Sequence, residues 1–172
     1  MNKYIALIIV IALGVGYFMS RKTFGPRTEI KEAITEEQLL KLPDAWTKIE
    51  DKDVNLKLEK KVDSGLRPQI VFKEVQSDDA LTPAKYTDRI IAGAKSAIPS
   101  LKINSDMRNS LEKYYSAFIS GTYTNKGQKI NLMQRVYIKD KTVYVMTASY
   151  IGDLSTEVGQ IFDNLAREKA GI

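Results

Sequence analysis

Apolar positions along this chain follow three rhythms. Residues 4–19, YIALIIVIALGVGYFM, form an almost unbroken apolar run without a charge. Several later stretches alternate apolar and polar with period two, the spacing of a strand that buries one face. Two others repeat every three to four residues, the spacing of a helix with one buried stripe.

The alternating stretches come first after a polar lead. Val54, Leu56 and Leu58 alternate with Asn55, Lys57 and Glu59. AWTKIEDKDVNLKLEKKV therefore predicts a hairpin with one buried face, turning at Asp51-Lys52-Asp53. DSGLRP reads as a loop, and QIVFKEV as a third strand with Ile70 and Phe72 on one face. Further on, LKINSDM alternates through Leu101, Ile103 and Ser105. YYSAFISGTYT and KINLMQRVYIK flank Asn125-Lys126-Gly127, a hairpin-turn signal, and TVYVMTASY follows Asp140-Lys141. These later strands carry apolar residues on both faces, as a sheet covered on both sides would require.

The helical rhythm occurs in LTPAKYTDRIIAGAKSAIP. Thr82 is placed as its N-cap, Pro83 at its first position, and Pro99 closes it. Tyr86, Ile90, Ala94 and Ile98 make the stripe, widened by Ile91 and Ala97. A last helix carries Leu154, Val158, Ile161, Phe162 and Leu165 on one face, with acids Asp153 and Glu157 at its start and bases Arg167 and Lys169 at its end. That charge order suits the helix dipole. A shorter helix, TEEQLLKLP, has capping-box spacing between Thr35 and Gln38 and stops at Pro43.

The first apolar run is of another kind. As a helix, residues 4–19 span about 24 Å at roughly 1.5 Å per residue, short of the roughly 30 Å hydrocarbon core of a bilayer. Tilt and local thinning absorb such a difference. Lys3 and Arg21-Lys22 frame the run, with Tyr4, Tyr17 and Phe18 near its ends. The first reading is an uncleaved membrane anchor. The second is a cleaved signal peptide, since Lys3 precedes the run and Gly14-Val15-Gly16 is a small-x-small triplet. The third, a buried core helix, suffers from the lack of a polar face. The chain has no cysteine, so lipoprotein attachment is excluded. Arg21, Lys22 and Arg27 after the run favour a cytoplasmic body by charge count; the order of charge and then apolar run favours export. Residues 21–34, with Gly25-Pro26, read as a linker leaving the membrane.

Composition narrows function mostly by subtraction. The formal charge is +5, but Lys3, Arg21, Lys22 and Arg27 stand in a segment without acids, so the body is close to neutral. A nucleic-acid partner is therefore not expected. With no histidine and no cysteine, the commonest general base, the thiolate nucleophiles and the usual zinc ligands are missing.

The order of pieces carries a resemblance. LPDAWTKIE, then IVFKEV with LTPAKYTDRIIAGAK, then the long meander from YYSAFISGTYT to TVYVMTASY and the closing helix together resemble the PsbP-like, Mog-type α/β/α sandwich family, which includes DcrB-like bacterial envelope proteins. The resemblance spans residues 39–170. It implies non-enzymatic adaptors and assembly factors, many of the bacterial members exported and held at the membrane. Eukaryotic members include a Ran-binding protein, and plant members assist photosystem II. The resemblance implies no catalytic motif, and it favours a body on the outer side of the membrane.

Candidate chemistry stays thin beside it. Ser110-Leu111-Glu112-Lys113 fits S-x-x-K, whose serine and lysine cooperate only on adjacent turns of a helix, and it sits before a predicted strand. TASYIG lacks the glycine spacing of a nucleophile elbow, so Asp153 and Gly152 are expected to serve the helix start and the turn. Asp51-Lys52-Asp53 and Asp78-Asp79 lack the oxygen spacing of a calcium loop. Trp46 is expected in the core. Six of the nine tyrosines, Tyr114, Tyr115, Tyr123, Tyr137, Tyr144 and Tyr150, are the candidate partner patch, with packing under a covering helix as the alternative.

The expected fold class is α+β: a mostly antiparallel sheet covered by helices on both faces, an α/β/α sandwich, preceded by an N-terminal membrane helix. Residues 1–20 are the membrane or signal segment, 21–34 the linker and 35–172 the PsbP-like domain. No catalytic, cofactor or metal residue is assigned. The expected partners are the membrane, through residues 4–19, and a protein. The expected setting is the bacterial inner membrane, crossed once, with the body on the outer side. The expected role is non-enzymatic protein–protein contact in envelope assembly or maintenance. The alternatives are a cytosol-facing adaptor or chaperone of the same fold, and an envelope hydrolase using carboxylate or Ser/Lys chemistry.

Overall fold

A computed structural model describes residues 42–43, 45–63, 65–77 and 82–172. The membrane segment 4–19, the linker 21–34, nearly all of the helix expected over 35–43 and the Asp78-Asp79 pair lie outside the described residues. Among the described residues no helix is long and apolar enough to cross a membrane.

The chain forms β1 (Trp46–Ile49), β2 (Leu56–Lys60), β3 (Gln69–Gln76), α1 (Pro83–Ala97), β4 (Lys102–Ser110), β5 (Tyr115–Asn125), β6 (Gln128–Lys139), β7 (Thr142–Tyr150) and α2 (Ser155–Leu165), which runs on into a π-helical turn, Ala166–Ala170. The strands make one seven-stranded sheet in the order β1-β2-β3-β7-β6-β5-β4. Every neighbouring pair is antiparallel. The fold is a sheet-dominated α+β fold, in the order that the two rhythms predict.

Two tight turns fold the meander. Lys126 and Gly127 both have positive φ between β5 and β6, and Asp140 and Lys141 do the same between β6 and β7. Two left-handed residues in a two-residue loop match the right-handed twist of the flanking strands. The return from the sheet centre to its far edge is made by α1, which starts as expected: the Thr82 hydroxyl accepts from the Lys85 amide at 3.4 Å. Pro83 needs no amide partner at the first turn.

Alternation assigns each strand residue to one face of the sheet or the other. Under α1 lie Tyr86 and Ile90 against Tyr115, Ala117, Val136, Val143 and Val145. Farther along the same face, Ile98 and Leu101 meet Tyr123, Ile130 and Leu132. Under α2, Val158, Ile161, Phe162 and Leu165 pack on Trp46, Leu58, Ile70, Phe72, Met133 and Met146. Trp46 is core, as expected, and its indole donates to Glu157 of α2. Lys60 clamps the same carboxylate at 2.5 and 2.8 Å.

Two expectations change. The α2 N-cap is Leu154, not Asp153, and it makes no side-chain cap. Asp153 instead accepts from the Ser155 hydroxyl at 2.8 Å just before the helix. And β2 is buried on both faces, not one: Lys57 is 4 % and Glu59 2 % exposed. Their burial is compatible with polarity because they satisfy one another and their neighbours. Lys57 lies 3.4 Å from Asp51 and 3.8 Å from Glu59, and Gln69 donates to Glu59 at 3.1 Å.

Candidate functional site

The six tyrosines of the expected patch divide by strand parity. Tyr115 and Tyr123 are buried under α1, and Tyr150 is buried under α2. Burial pushes the Tyr123 and Tyr150 hydroxyls above the usual tyrosine range. The other three are half-buried on the α2 side. Tyr114 packs edge-on against Tyr137, ring centres 5.9 Å apart. Tyr144 stands opposite Tyr137 in the β6–β7 register and stacks on Phe72 at 6.4 Å. The structure brings Tyr114, Tyr137 and Tyr144 together and sets the other three apart from them.

The grouped three border a face that α2 leaves open. The core under α2 draws buried side chains from β1, β2, β3, β6 and β7. Among the described residues, it takes from β5 only the half-buried Phe118, and from β4 nothing. The α2 side of β5 is otherwise hydroxylic: Ser116, Ser120 and Thr122 alternate with Phe118, and all are half-buried. Met107 of β4 stands opposite Phe118 and is 54 % exposed.

Arg135 sets the boundary. Its guanidinium lies 5.9 Å from the Phe118 ring centre, reaches the Tyr137 hydroxyl at 3.4 Å and pairs with Asp163 of α2. Burial opposes its charge, but the Asp163 bond and the Tyr137 hydroxyl outweigh burial and hold its pKa above the usual value. Arginine beside aromatic side chains is a combination enriched at protein-contact surfaces. Sequence reasoning missed Met107, Phe118 and Arg135. The run of hydroxyls at alternate β5 positions was the available signal, since a face under a helix is filled with larger apolar groups.

The sites weighed for chemistry are placed as follows. Ser110 ends β4 and Lys113 lies in the loop before β5, both exposed, so the helical geometry that S-x-x-K needs is absent. At the β7–α2 corner, Thr147 is buried and its hydroxyl accepts from Gln134 at 2.9 Å. Ser149 shares a hydrogen bond with Tyr123. Gly152 turns the chain at φ 75°, and Asn131 donates to its carbonyl at 2.8 Å. These hydroxyls hold the corner together. A hollow of about 270 Å³ beside the β1–β2 loop is lined by Lys48, Glu50, Asp51, Lys52, Asn55 and Lys57 among others. Its Asp51 already accepts from Lys57 and from the Asp53 amide. Next to it, burial lowers the Lys73 pKa, partly countered by Asp53 and Asp51. No group of three His, Cys, Asp or Glu able to hold a metal occurs among the described residues.

No protein-family model matches the chain, and no curated relative does. Solved structures do match. LpqN of Mycobacterium tuberculosis, described as involved in cell envelope biogenesis, is similar at 16% identity and TM-score 0.54, over 74% of this chain and 78% of that one. PA94 of Pseudomonas aeruginosa, of unknown function, is similar at 16% identity and TM-score 0.50, over 76% of this chain and 87% of that one. The PsbP of the cyanobacterium Synechocystis sp. PCC 6803, CyanoP, is similar at 11% identity and TM-score 0.55, over 72% of this chain and 80% of that one. At such identities the likeness is one of backbone, and it shows that the chain has a PsbP-like fold.

Proposed function

We propose that this chain is a non-enzymatic protein of the bacterial cell envelope that works by protein–protein contact, in the manner of the DcrB-like members of the Mog-type family. The observation that carries the proposal is the fold shared with LpqN, a protein described as acting in cell envelope biogenesis. The contact surface we assign is the open face beside α2, which contains Phe118 and is bordered by Tyr114, Tyr137 and Arg135. Residues 4–19 tether the domain to the inner membrane, residues 21–34 set its reach, and the body stands on the outer side. Tethering raises the local concentration of the domain near a membrane-borne partner.

Two measurements test this. Partner capture from native membranes, comparing the natural chain with Phe118→Ala and Tyr137→Ala, is expected to lose the captured protein in both variants. A capture unchanged by both overturns the surface. Protease added to intact spheroplasts is expected to digest the body; a protected body overturns the outward orientation. The second reading, a cytosol-facing adaptor of the same fold, is favoured by Arg21, Lys22 and Arg27 following the apolar run.

A further inference from the structure

Among the described residues the sheet ends at β4, and that edge differs from the other one. β1 is four residues long, whereas β4 is nine. Edge strands are usually blunted by lysines, prolines, bulges or a covering element, because their outer amides and carbonyls otherwise invite another strand. β4 carries such devices at its start, Lys102 and a register shift against β5 between Ile103 and Ser105. Beyond it, Ser105–Ser110 is a regular ladder. The two large hydrophobics most exposed among the described residues both lie here: Met107 at 54 % and Leu111, just past the strand end, at 52 %.

The sequence of that ladder is complementary to itself. Asp106 and Arg108 flank Met107, and both point to the α1 side, where Arg108 holds Asp106 at 2.7 Å and Asp88 at 2.8 Å. An antiparallel copy centred on Met107 sets Asp106 opposite Arg108 of the second copy, and Arg108 opposite its Asp106. Ser105 then faces Asn109, and the two Met107 side chains meet on the α2 side. Opposite charges at directly facing positions favour one register, and like charges there oppose the others.

We propose that β4 pairs antiparallel with β4 of a second copy of this chain about a two-fold axis through Met107, joining two sheets into one of fourteen strands (twice the seven of one copy). The axis is perpendicular to the sheet. The open α2-side faces of the two copies therefore lie side by side on the same surface, which makes the assembly bivalent toward any partner of that face. The pairing does not depend on the partner reading, since it needs only this chain.

The absence of cysteine makes the test direct. Facing residues of an antiparallel pair have Cα atoms about 4.5–5.5 Å apart, inside the disulfide range of about 4.4–6.8 Å. The full chain in mild detergent, carrying Met107→Cys, is expected to form a disulfide-linked species of twice the 19.4 kDa chain mass on mild oxidation. Asn109→Cys alone is not, because its copies lie four residues apart along the strand, about 13 Å. Mixing Ser105→Cys chains with Asn109→Cys chains is expected to yield the cross-linked pair. Asp106→Arg and Arg108→Asp are each expected to lose the dimer in sedimentation, and their mixture to regain it. Trp46 fluorescence confirms that each variant is folded. A folded Met107→Cys chain that links no better than Asn109→Cys overturns the proposal. So does one that links in membranes to a different protein, which would make β4 the acceptor of a foreign strand.

Discussion

Gly121 lies opposite Ile103, where the β4–β5 register shifts. A Cβ there would stand 2.7 Å from the Lys102 carbonyl oxygen and 3.1 Å from a Leu101 methyl. Its φ is not positive, so the backbone itself accepts any residue. Gly→Ala at such a position ordinarily stabilises by about 0.4–1 kcal/mol through the unfolded chain. Here the nearer obstacle is backbone, and it cannot move without dragging the start of β4. Overpacking of that kind costs about 1–3 kcal/mol, so Gly121→Ala is expected to lose about 1–2 kcal/mol net. Gly159 of α2 is the control, because nothing lies within 4 Å of its added Cβ. Gly159→Ala is expected to gain about 0.5–1 kcal/mol as an ordinary helix substitution. Trp46, the single tryptophan and buried in the core, reports both in urea titrations. With a urea slope of about 2 kcal/mol/M, the midpoint falls by roughly 0.5–1 M for Gly121→Ala and rises for Gly159→Ala. A Gly121→Ala midpoint at or above that of the natural chain, with Gly159→Ala behaving as expected, would refute the close approach of β4 to β5.

Three further outcomes are expected. Glu157→Ala leaves the Trp46 indole without its acceptor and Lys60 without its counter-ion, so it should lose about 2 kcal/mol and shift Trp46 emission; Glu157→Gln, which keeps an acceptor, should lose about half as much and leave emission near its natural position. Tyr123 has its pKa raised by burial, so its contribution to stability is complete below the usual tyrosine value of about 10 and is lost as pH rises toward the folded value. Tyr123→Phe should flatten that alkaline limb in pH-dependent denaturation. The Arg108 hydrogen bond holds the Asp106 carboxyl below the usual range, so its contribution is present above that range and is lost as pH falls through the folded value. Asp106→Asn should flatten the acid limb.

Much of this protein was legible in order. Among the described residues, period-two and period-3.6 patterns yielded seven strands and two helices in sequence, because each element must present its apolar side chains at the repeat of its own backbone. The Thr82-Pro83 start of α1 and the Lys126-Gly127 turn were readable because each satisfies a local backbone need. The doubly buried β2 was not, because Lys57 and Glu59 look solvent-facing until Asp51, Gln69 and Arg67 are brought beside them.

The tyrosine cluster marks the same boundary. Residue type says that a tyrosine is amphipathic, and parity says only that Tyr115 and Tyr123 share a strand face. Which face lies under a helix depends on where α1 and α2 come to rest over the sheet. That placement buried Tyr115, Tyr123 and Tyr150, kept Tyr114, Tyr137 and Tyr144 together, and left Phe118 and Met107 beyond the reach of α2. The sequence by itself determined the elements, their order and their apolar sides, since those follow from contacts a few residues apart. The tertiary structure alone decided which sheet face and which edge remain open, because covering a face is a contact between elements far apart in the chain.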